Sequence, residues 1–302
     1  MTIEPWEITH GVGTGDFFNA ESFWSDEEKA ALTTVHHCWR HTGGSDGLIE
    51  IMRLCPDFAH VEHKATSYPT ELIPGSIETL RDHAIEHRLE YRGSSFLRHR
   101  LECTIPAGLP ERFCHLQPDT PKNGRLCDRW IREREWPGVI GLLESWDLVG
   151  LVVNSPGGKA TVPRHPRLID WTGRTSMAQS VEVLKRSSGY IGVDSCFAIL
   201  AAQLFGPDRL AIRSTNPYLL DRPEVHYPPH REFPFLYPAF DLPPYPVIRP
   251  DRPRGVIVET RANVLMGNRT FGYGCRVELD ECKAAELVKY GKAAYLEASI
   301  PG

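Results

Sequence analysis

Short apolar strands alternate with helical segments between residues 112 and 213, and this alternation constrains the fold more than any other feature of the chain. Periodicity and turn residues predict strands at 112–116, 148–153, 167–170, 190–193 and 210–213. They predict helices at 136–146, 176–187 and 197–205. Strands that alternate with helices of this length are typical of a parallel sheet with helices on both faces. We therefore predict a Rossmann-like α/β domain at residues 109–216.

The first hundred residues show the same alternation with fewer elements. We expect strands at 33–39 and 58–62 and helices at 47–54 and 77–89. The sequence therefore predicts a reduced Rossmann-like domain at residues 1–108, so that the fold class is α/β with two such domains.

Proline and aromatic residues dominate the segment that follows. Eleven prolines fall between residues 217 and 253, interleaved with tyrosines and phenylalanines. Proline blocks helices and central strands, whereas this many aromatic side chains favour burial. We expect residues 217–254 to form an extended strap on the surface of the preceding domains. A disordered polyproline II ligand for an SH3-type partner remains the alternative.

The last 48 residues, 255–302, are predicted to form a small β-hairpin and helix module. Strands are expected at 256–260 and 275–279, and a helix from Asp280 to Leu287 with Gly291 as its C-cap. Such a unit is too small for a chemical site, so we expect it to bind a protein partner if it binds anything.

Charge and composition exclude several classes of protein. The formal net charge is −5 and the basic residues are scattered, which disfavours a nucleic-acid partner. The longest apolar stretch, 138–153, is broken by Glu144 and Asp147, which disfavours a membrane span. The N-terminus lacks the apolar region of a secretory signal. The eight cysteines form no C-x-x-C pair, so we expect reduced thiols, a cytoplasmic protein and no structural metal.

A glycine-rich turn, Gly11-Val-Gly-Thr-Gly-Asp16, follows the short segment 6–9. Such a turn, opening a helix after a strand, lets backbone N–H groups approach a phosphate. Alternatively, the turn is merely flexible and Asp16 caps the helix.

A second candidate phosphate site lies at Asp194-Ser195-Cys196, where a strand ends and a helix begins. The N–H groups of the helix N-terminus and the Ser195 hydroxyl suit a pyrophosphate. Ligands of open α/β sheets bind outside the carboxyl ends of the strands, which is where Asp194 falls. Alternatively, Asp194 and Ser195 only cap a buried helix.

These segments resemble the motifs of the ADP-heptose:lipopolysaccharide heptosyltransferase family, glycosyltransferase family 9. The resemblance rests on the following segments: Thr172-Gly-Arg-Thr-Ser, Ile191-Gly-Val-Asp-Ser, Leu200-Ala-Ala, Ser214-Thr-Asn-Pro217, Arg129-Trp130 and Gly13-Thr-Gly-Asp16. It implies a GT-B-like fold of two facing Rossmann-like domains. It also implies metal-independent, inverting transfer of a sugar from a nucleotide-diphosphate sugar to a hydroxyl acceptor, without a cofactor.

The resemblance assigns the role of general base to Asp16. It assigns donor binding to Gly15, Arg129, Thr172, Thr175, Asp194, Ser195, Cys196 and Ser214. Cys196 stands where the family has a glycine, and Ile199 where it has a histidine. These departures favour the alternative of a catalytically impaired GT-B-like scaffold that acts through residues 255–302.

One further motif is that of a metallopeptidase. His83-Ala-Ile-Glu-His87 spells the inverted zinc-protease pattern H-x-x-E-H on a predicted helix. Arg81, Arg88 and Arg92 make its surroundings cationic, which disfavours a divalent metal ion. We expect this segment to be a solvated helix flank.

Overall fold

The computed structural model describes residues 3–10, 13–38, 45–66, 80, 84, 89–120, 129–214 and 227, and five strands between residues 256 and 295. The contacts divide the chain into two compact units, residues 1–242 and 243–302. Several predictions lie outside the described residues: most of the 77–89 helix with the H-x-x-E-H motif, the 217–254 strap except Tyr227, and the 280–287 helix with Gly291.

The first unit begins with a three-stranded parallel sheet in the order β1-β2-β3. Its strands are β1 (Trp6–His10), β2 (Leu32–Cys38) and β3 (Glu62–Thr66). Three helices are described along this sheet: α1 (Thr14–Glu21), α2 (Asp26–Ala31) and α3 (Ser45–Leu54). The predicted strand at 58–62 is wrong, because residues 56–60 form a turn and the strand starts at Glu62. The apolar residue of this segment, Phe58, is fully buried in the core although it lies in the turn.

Five parallel strands form the second sheet, in the order β6-β5-β4-β7-β8. They are β4 (Phe113–Gln117), β5 (Val149–Val152), β6 (Leu168–Asp170), β7 (Tyr190–Val193) and β8 (Leu210–Arg213). The helices are α4 (Ser95–Arg98), which precedes the sheet, and α5 (Trp136–Ser145), α6 (Met177–Arg186) and α7 (Cys196–Leu204). This is the doubly wound Rossmann order, whose switch point lies between β4 and β7. The predicted α/β fold class is confirmed, since each half of this unit carries a parallel sheet.

The two halves of the first unit share one hydrophobic core. It includes Phe17 and Phe18 of α1 and Ile51 of α3, together with Leu184 of α6 and Leu200 of α7. Helix α7 is apolar nearly all round because it packs on its own sheet with one side and on α1 with the other. The core therefore brings α1 against α7 and α3 against α6.

The described strands of the second unit pair in antiparallel fashion. Strand β9 (Val256–Thr260) lies between β12 (Arg276–Leu279) and β13 (Ala293–Tyr295), and β10 (Val264–Met266) pairs with β11 (Arg269–Phe271). The two strands expected from the sequence are present at 256–260 and 276–279. The three others were missed, because a three-residue strand is too short to show an alternating pattern.

Candidate functional site

Helices α1 and α7 lie side by side and run in the same direction. At their N-terminal ends, a Cβ atom on Gly15 would stand 3.3 Å from the Cys196 Cα atom. At their C-terminal ends, the Gln203 side-chain amide donates a hydrogen bond to the Ser22 hydroxyl at 3.2 Å. The same number of residues separates Gly15 from Ser22 and Cys196 from Gln203, so the two helices are parallel and in register.

This parallel packing places two helix N-termini at one point. Each N-terminus carries a partial positive charge and N–H groups that have no partner within the helix. Two such ends repel each other, and an anion between or beside them is stabilised. Helices α1 and α7 follow β1 and β7, so this point lies at the carboxyl ends of strands of both sheets.

Asp16 lies in the first turn of α1, beside the α7 N-terminus. Its carboxylate accepts a hydrogen bond from the Gly13 backbone N–H at 3.0 Å, closing a capping box. The residue is half-buried. The capping role considered from the sequence is therefore present.

The Asp194 side chain, two residues before the start of α7, contacts two residues from distant parts of the chain. Its Oδ2 atom is 3.3 Å from Nη2 of Arg129, and its Oδ1 atom accepts a hydrogen bond from the Tyr227 hydroxyl at 3.1 Å. The Arg129 side chain is 29% exposed and the Asp194 side chain 12% exposed. The structure thus brings together two of the predicted donor-binding residues and adds Tyr227, which no sequence motif indicated.

The Ser195 hydroxyl is engaged within the protein. It accepts a hydrogen bond from the Ala198 N–H at 3.3 Å as the N-cap of α7, and donates to the Gln117 side-chain oxygen at 2.5 Å. The Tyr190 hydroxyl donates to the same oxygen at 3.2 Å. Burial raises the pKa of Tyr190 far above its usual range, so the hydroxyl stays protonated. Gln117 therefore orients the residue that starts α7.

Three further predicted residues follow strands or precede a helix at the same sheet edge. Ser214 directly follows β8, the neighbour of β7, and is buried. Thr172 follows β6, three strands from β7 or about 14 Å. Its N–H donates to the Asp170 carboxylate at 2.8 Å. The Thr175 hydroxyl accepts a hydrogen bond from Ser180 at 2.9 Å.

A glycine loop after β5 is fastened to Asp119 at this edge. The buried Asp119 carboxylate accepts hydrogen bonds from the backbone N–H groups of Lys159 and Ala160. A Cβ atom on Gly158 would stand 2.6 Å from the carboxylate oxygen, so the loop needs glycine there. The Lys159 ammonium lies 4.6 Å from the centre of the Trp130 ring. A second cation besides Arg129 therefore stands at the edge.

Sequence motifs did not indicate Gln117, Asp119 or Lys159. The signal that could have found the first two is their place at the switch point of the sheet: Gln117 is the last residue of a fully buried strand, and Asp119 follows two residues later. Among the described residues, no three His, Cys, Asp or Glu side chains are grouped so that they could hold a metal ion. No helix in that part of the chain is long and apolar enough to cross a membrane.

No protein-family model and no curated protein matches the sequence. The solved structures to which this chain is similar include two of TibC, the second of them from enterotoxigenic E. coli H10407. One is an iron-containing dodecameric heptosyltransferase in complex with ADP-D-beta-D-heptose (TM-score 0.42), and the other an iron-containing dodecameric glycosyltransferase (TM-score 0.43). Each is 16% identical over 70% of this chain, which spans 58% of their length.

Proposed function

We propose that this protein transfers a sugar from a nucleotide-diphosphate sugar to a hydroxyl acceptor, without a metal or cofactor. The observation that carries the proposal is the parallel α1–α7 pair, whose N-termini meet at the carboxyl edge of both sheets with Asp16 on one helix and Asp194 and Arg129 at the other. Two adjacent helix N-termini and an arginine suit a diphosphate.

The proposed chemistry uses the residues at this point. The Asp16 carboxylate takes the proton of the acceptor hydroxyl while the hydroxyl oxygen attacks the anomeric carbon. The bond between that carbon and the diphosphate oxygen breaks, and the configuration inverts. Arg129 and the first N–H groups of α7 stabilise the negative charge that develops on the departing diphosphate.

A thermal-shift screen of the full chain with ADP, GDP, UDP and their sugars tests the donor site. A ligand at 100 times its Kd stabilises the folded state by about 2.7 kcal/mol. We expect one nucleotide diphosphate to raise the Tm clearly. If the whole set leaves the Tm unchanged, the donor site proposed here does not exist.

The Asp16→Asn variant tests the base. Asparagine can still accept the Gly13 N–H, so the capping box and nucleotide binding should persist, whereas transfer should fall at least about 100-fold. Glu28→Gln is the matched control, because Glu28 closes the equivalent box of α2, accepting the Ser25 N–H at 2.6 Å. Transfer by Asp16→Asn within tenfold of the unaltered protein would exclude Asp16 as the base.

The direct packing of α1 on α7 favours a second candidate, a non-catalytic GT-B-like scaffold. The Cys196 and Ile199 side chains fill the space next to Gly15 that the family leaves to a glycine and a histidine. If this is the protein's role, the unaltered chain transfers no sugar, and Cys196→Gly with Ile199→His gains nucleotide binding. Turnover by the unaltered chain excludes the scaffold.

A further inference from the structure

We propose that Tyr227 is a positioning residue for the donor diphosphate: its hydroxyl fixes the Asp194 carboxylate, which in turn holds the Arg129 guanidinium at the N-terminus of α7. The inference rests on the proposed function and deepens it. It gives a role to a tyrosine that lies 33 residues beyond Asp194.

The two oxygens of the Asp194 carboxylate have different partners. Oδ1 accepts the Tyr227 O–H at 3.1 Å, and Oδ2 lies 3.3 Å from Arg129 Nη2. The Asp194 backbone is held as well, since its N–H donates to the Arg213 carbonyl at 3.0 Å. A carboxylate held at both oxygens and at its own backbone cannot turn away from the arginine. Removing the Tyr227 hydroxyl releases one of these constraints.

Burial separates the anchor from the group that it positions. Tyr227 is 1% exposed and belongs to the core shared by the two halves, whereas the Arg129 side chain is 29% exposed and within reach of a ligand. Burial, with the negative charge of Asp194, raises the pKa of Tyr227 well above its usual range. The hydroxyl therefore stays protonated at neutral pH and donates to Asp194.

An arginine recognises phosphate best when its planar group is already oriented. The guanidinium carries five N–H donors in a fixed fork, and orienting it before binding lowers the entropy lost on binding. Tyr227 should therefore increase the affinity for a ligand more strongly when that ligand carries more phosphate groups. If Tyr227 had only a structural role in the core, its loss would lower the stability of the chain and leave the ratio of diphosphate to monophosphate affinity unchanged.

Calorimetric titration of the full chain with a nucleoside diphosphate and the matching monophosphate tests the inference. We expect Tyr227→Phe to weaken diphosphate binding about fivefold, the usual effect of losing one hydrogen bond, and to weaken monophosphate binding less. Tyr91→Phe is the matched control. It removes another buried tyrosine hydroxyl, at a ring that packs edge-on against Phe23 near the C-terminal end of α1, and should leave both affinities unchanged.

A double-mutant cycle with Asp194→Ala shows whether Tyr227 acts through Asp194, because alanine removes the acceptor of the Tyr227 hydroxyl and the partner of Arg129. Asp194→Ala alone should weaken diphosphate binding, and adding Tyr227→Phe should then have no further effect. Equal diphosphate binding by Tyr227→Phe and the unaltered chain overturns the inference, and so does tighter binding, which would mean that the tyrosine competes with the ligand. If the unaltered chain binds none of these nucleotides, the proposed function fails first and the inference with it.

Discussion

Gly15 and Cys196 are in direct contact between the first turns of two parallel helices, one from each half of the first unit. A Cβ atom on residue 15 would stand 3.3 Å from the Cys196 Cα atom and 2.8 Å from the Ile199 Cδ1 atom. Only glycine allows the helices to approach this closely. The contact therefore sets the distance between Asp16 and the N-terminus of α7, on which the proposed chemistry depends.

The cost of adding a side chain at residue 15 should depend on the Cδ1 methyl group of Ile199. Gly15→Ala places its Cβ against Ile199 Cδ1, and Ile199→Val removes that atom. We expect Gly15→Ala to be less favourable by about 1 kcal/mol in the unaltered chain than in the Ile199→Val background. Urea unfolding followed by tryptophan fluorescence measures this, because all seven tryptophans lie within residues 1–242. Additive effects of the two changes would show that the helices can separate freely.

A glycine in β7 is needed for the hydrogen bonds at the start of α7. A Cβ atom on Gly192 would lie 2.6 Å from Tyr190 Cζ and 2.9 Å from the Gln117 carbonyl oxygen, within a buried strand. We expect Gly192→Ala to lower the free energy of unfolding by at least about 2 kcal/mol.

Gly141→Ala is the control for this change. Gly141 lies inside α5 with no atom within 4 Å of its added Cβ, so alanine there should stabilise the chain by about 0.5–1 kcal/mol. Equal effects of the two substitutions in urea unfolding would contradict the close packing around Gly192.

Glu135 and Arg213 form an ion pair that is fully buried, with Arg213 Nε 2.7 Å from Glu135 Oε2. Arg213→Met should cost about 3–5 kcal/mol of unfolding free energy, because it leaves a carboxylate buried without its counter-charge. Glu135→Leu combined with Arg213→Met should cost clearly less than Arg213→Met alone.

The exposed pair Arg112 and Asp147, 3.7 Å apart, provides the comparison. Arg112→Met should change the stability by no more than about 0.5 kcal/mol. If Arg213→Met were as mild as Arg112→Met in urea unfolding, the ion pair would not be buried in solution.

The buried histidine of β4 should make the protein less stable in acid. His115 is fully buried between Tyr190 and Phe197, and neither ring nitrogen has a hydrogen-bond partner among the described residues. Burial lowers the pKa of His115 from 6.5 to about 3. Between these two values the unfolded chain binds a proton that the folded chain excludes, so stability is lost as the pH falls through this window.

His115→Phe removes this proton linkage and keeps an aromatic ring against Tyr190. From pH 7 to pH 5 the variant should lose about 2 kcal/mol less unfolding free energy than the unaltered chain. His60→Gln, at an exposed position, should leave the pH dependence unchanged. Parallel curves for His115→Phe and the unaltered chain would show that the folded chain binds the His115 proton as readily as the unfolded chain does.

Local patterns determined most elements of the second half. The strands at 190–193 and 210–213 begin and end where the sequence predicts, and the other strands and helices of that sheet differ by one or two residues. The agreement has a physical reason: buried parallel strands and amphipathic helices require apolar residues at regular spacings, and these spacings are visible in the sequence. The prediction of a strand at 58–62 was wrong because an apolar side chain such as Phe58 can also be buried in a turn.

The sequence alone determined the fold class and which residues stand at strand ends, since both follow from the order of neighbouring residues. Only the tertiary structure decided which of these residues meet. Three contacts join residues that are far apart in the chain: the parallel packing of α1 on α7, the hydrogen bond from Tyr227 to Asp194 and the hydrogen bond from Ser195 to Gln117. Such contacts depend on the packing of a shared core, which no local period encodes.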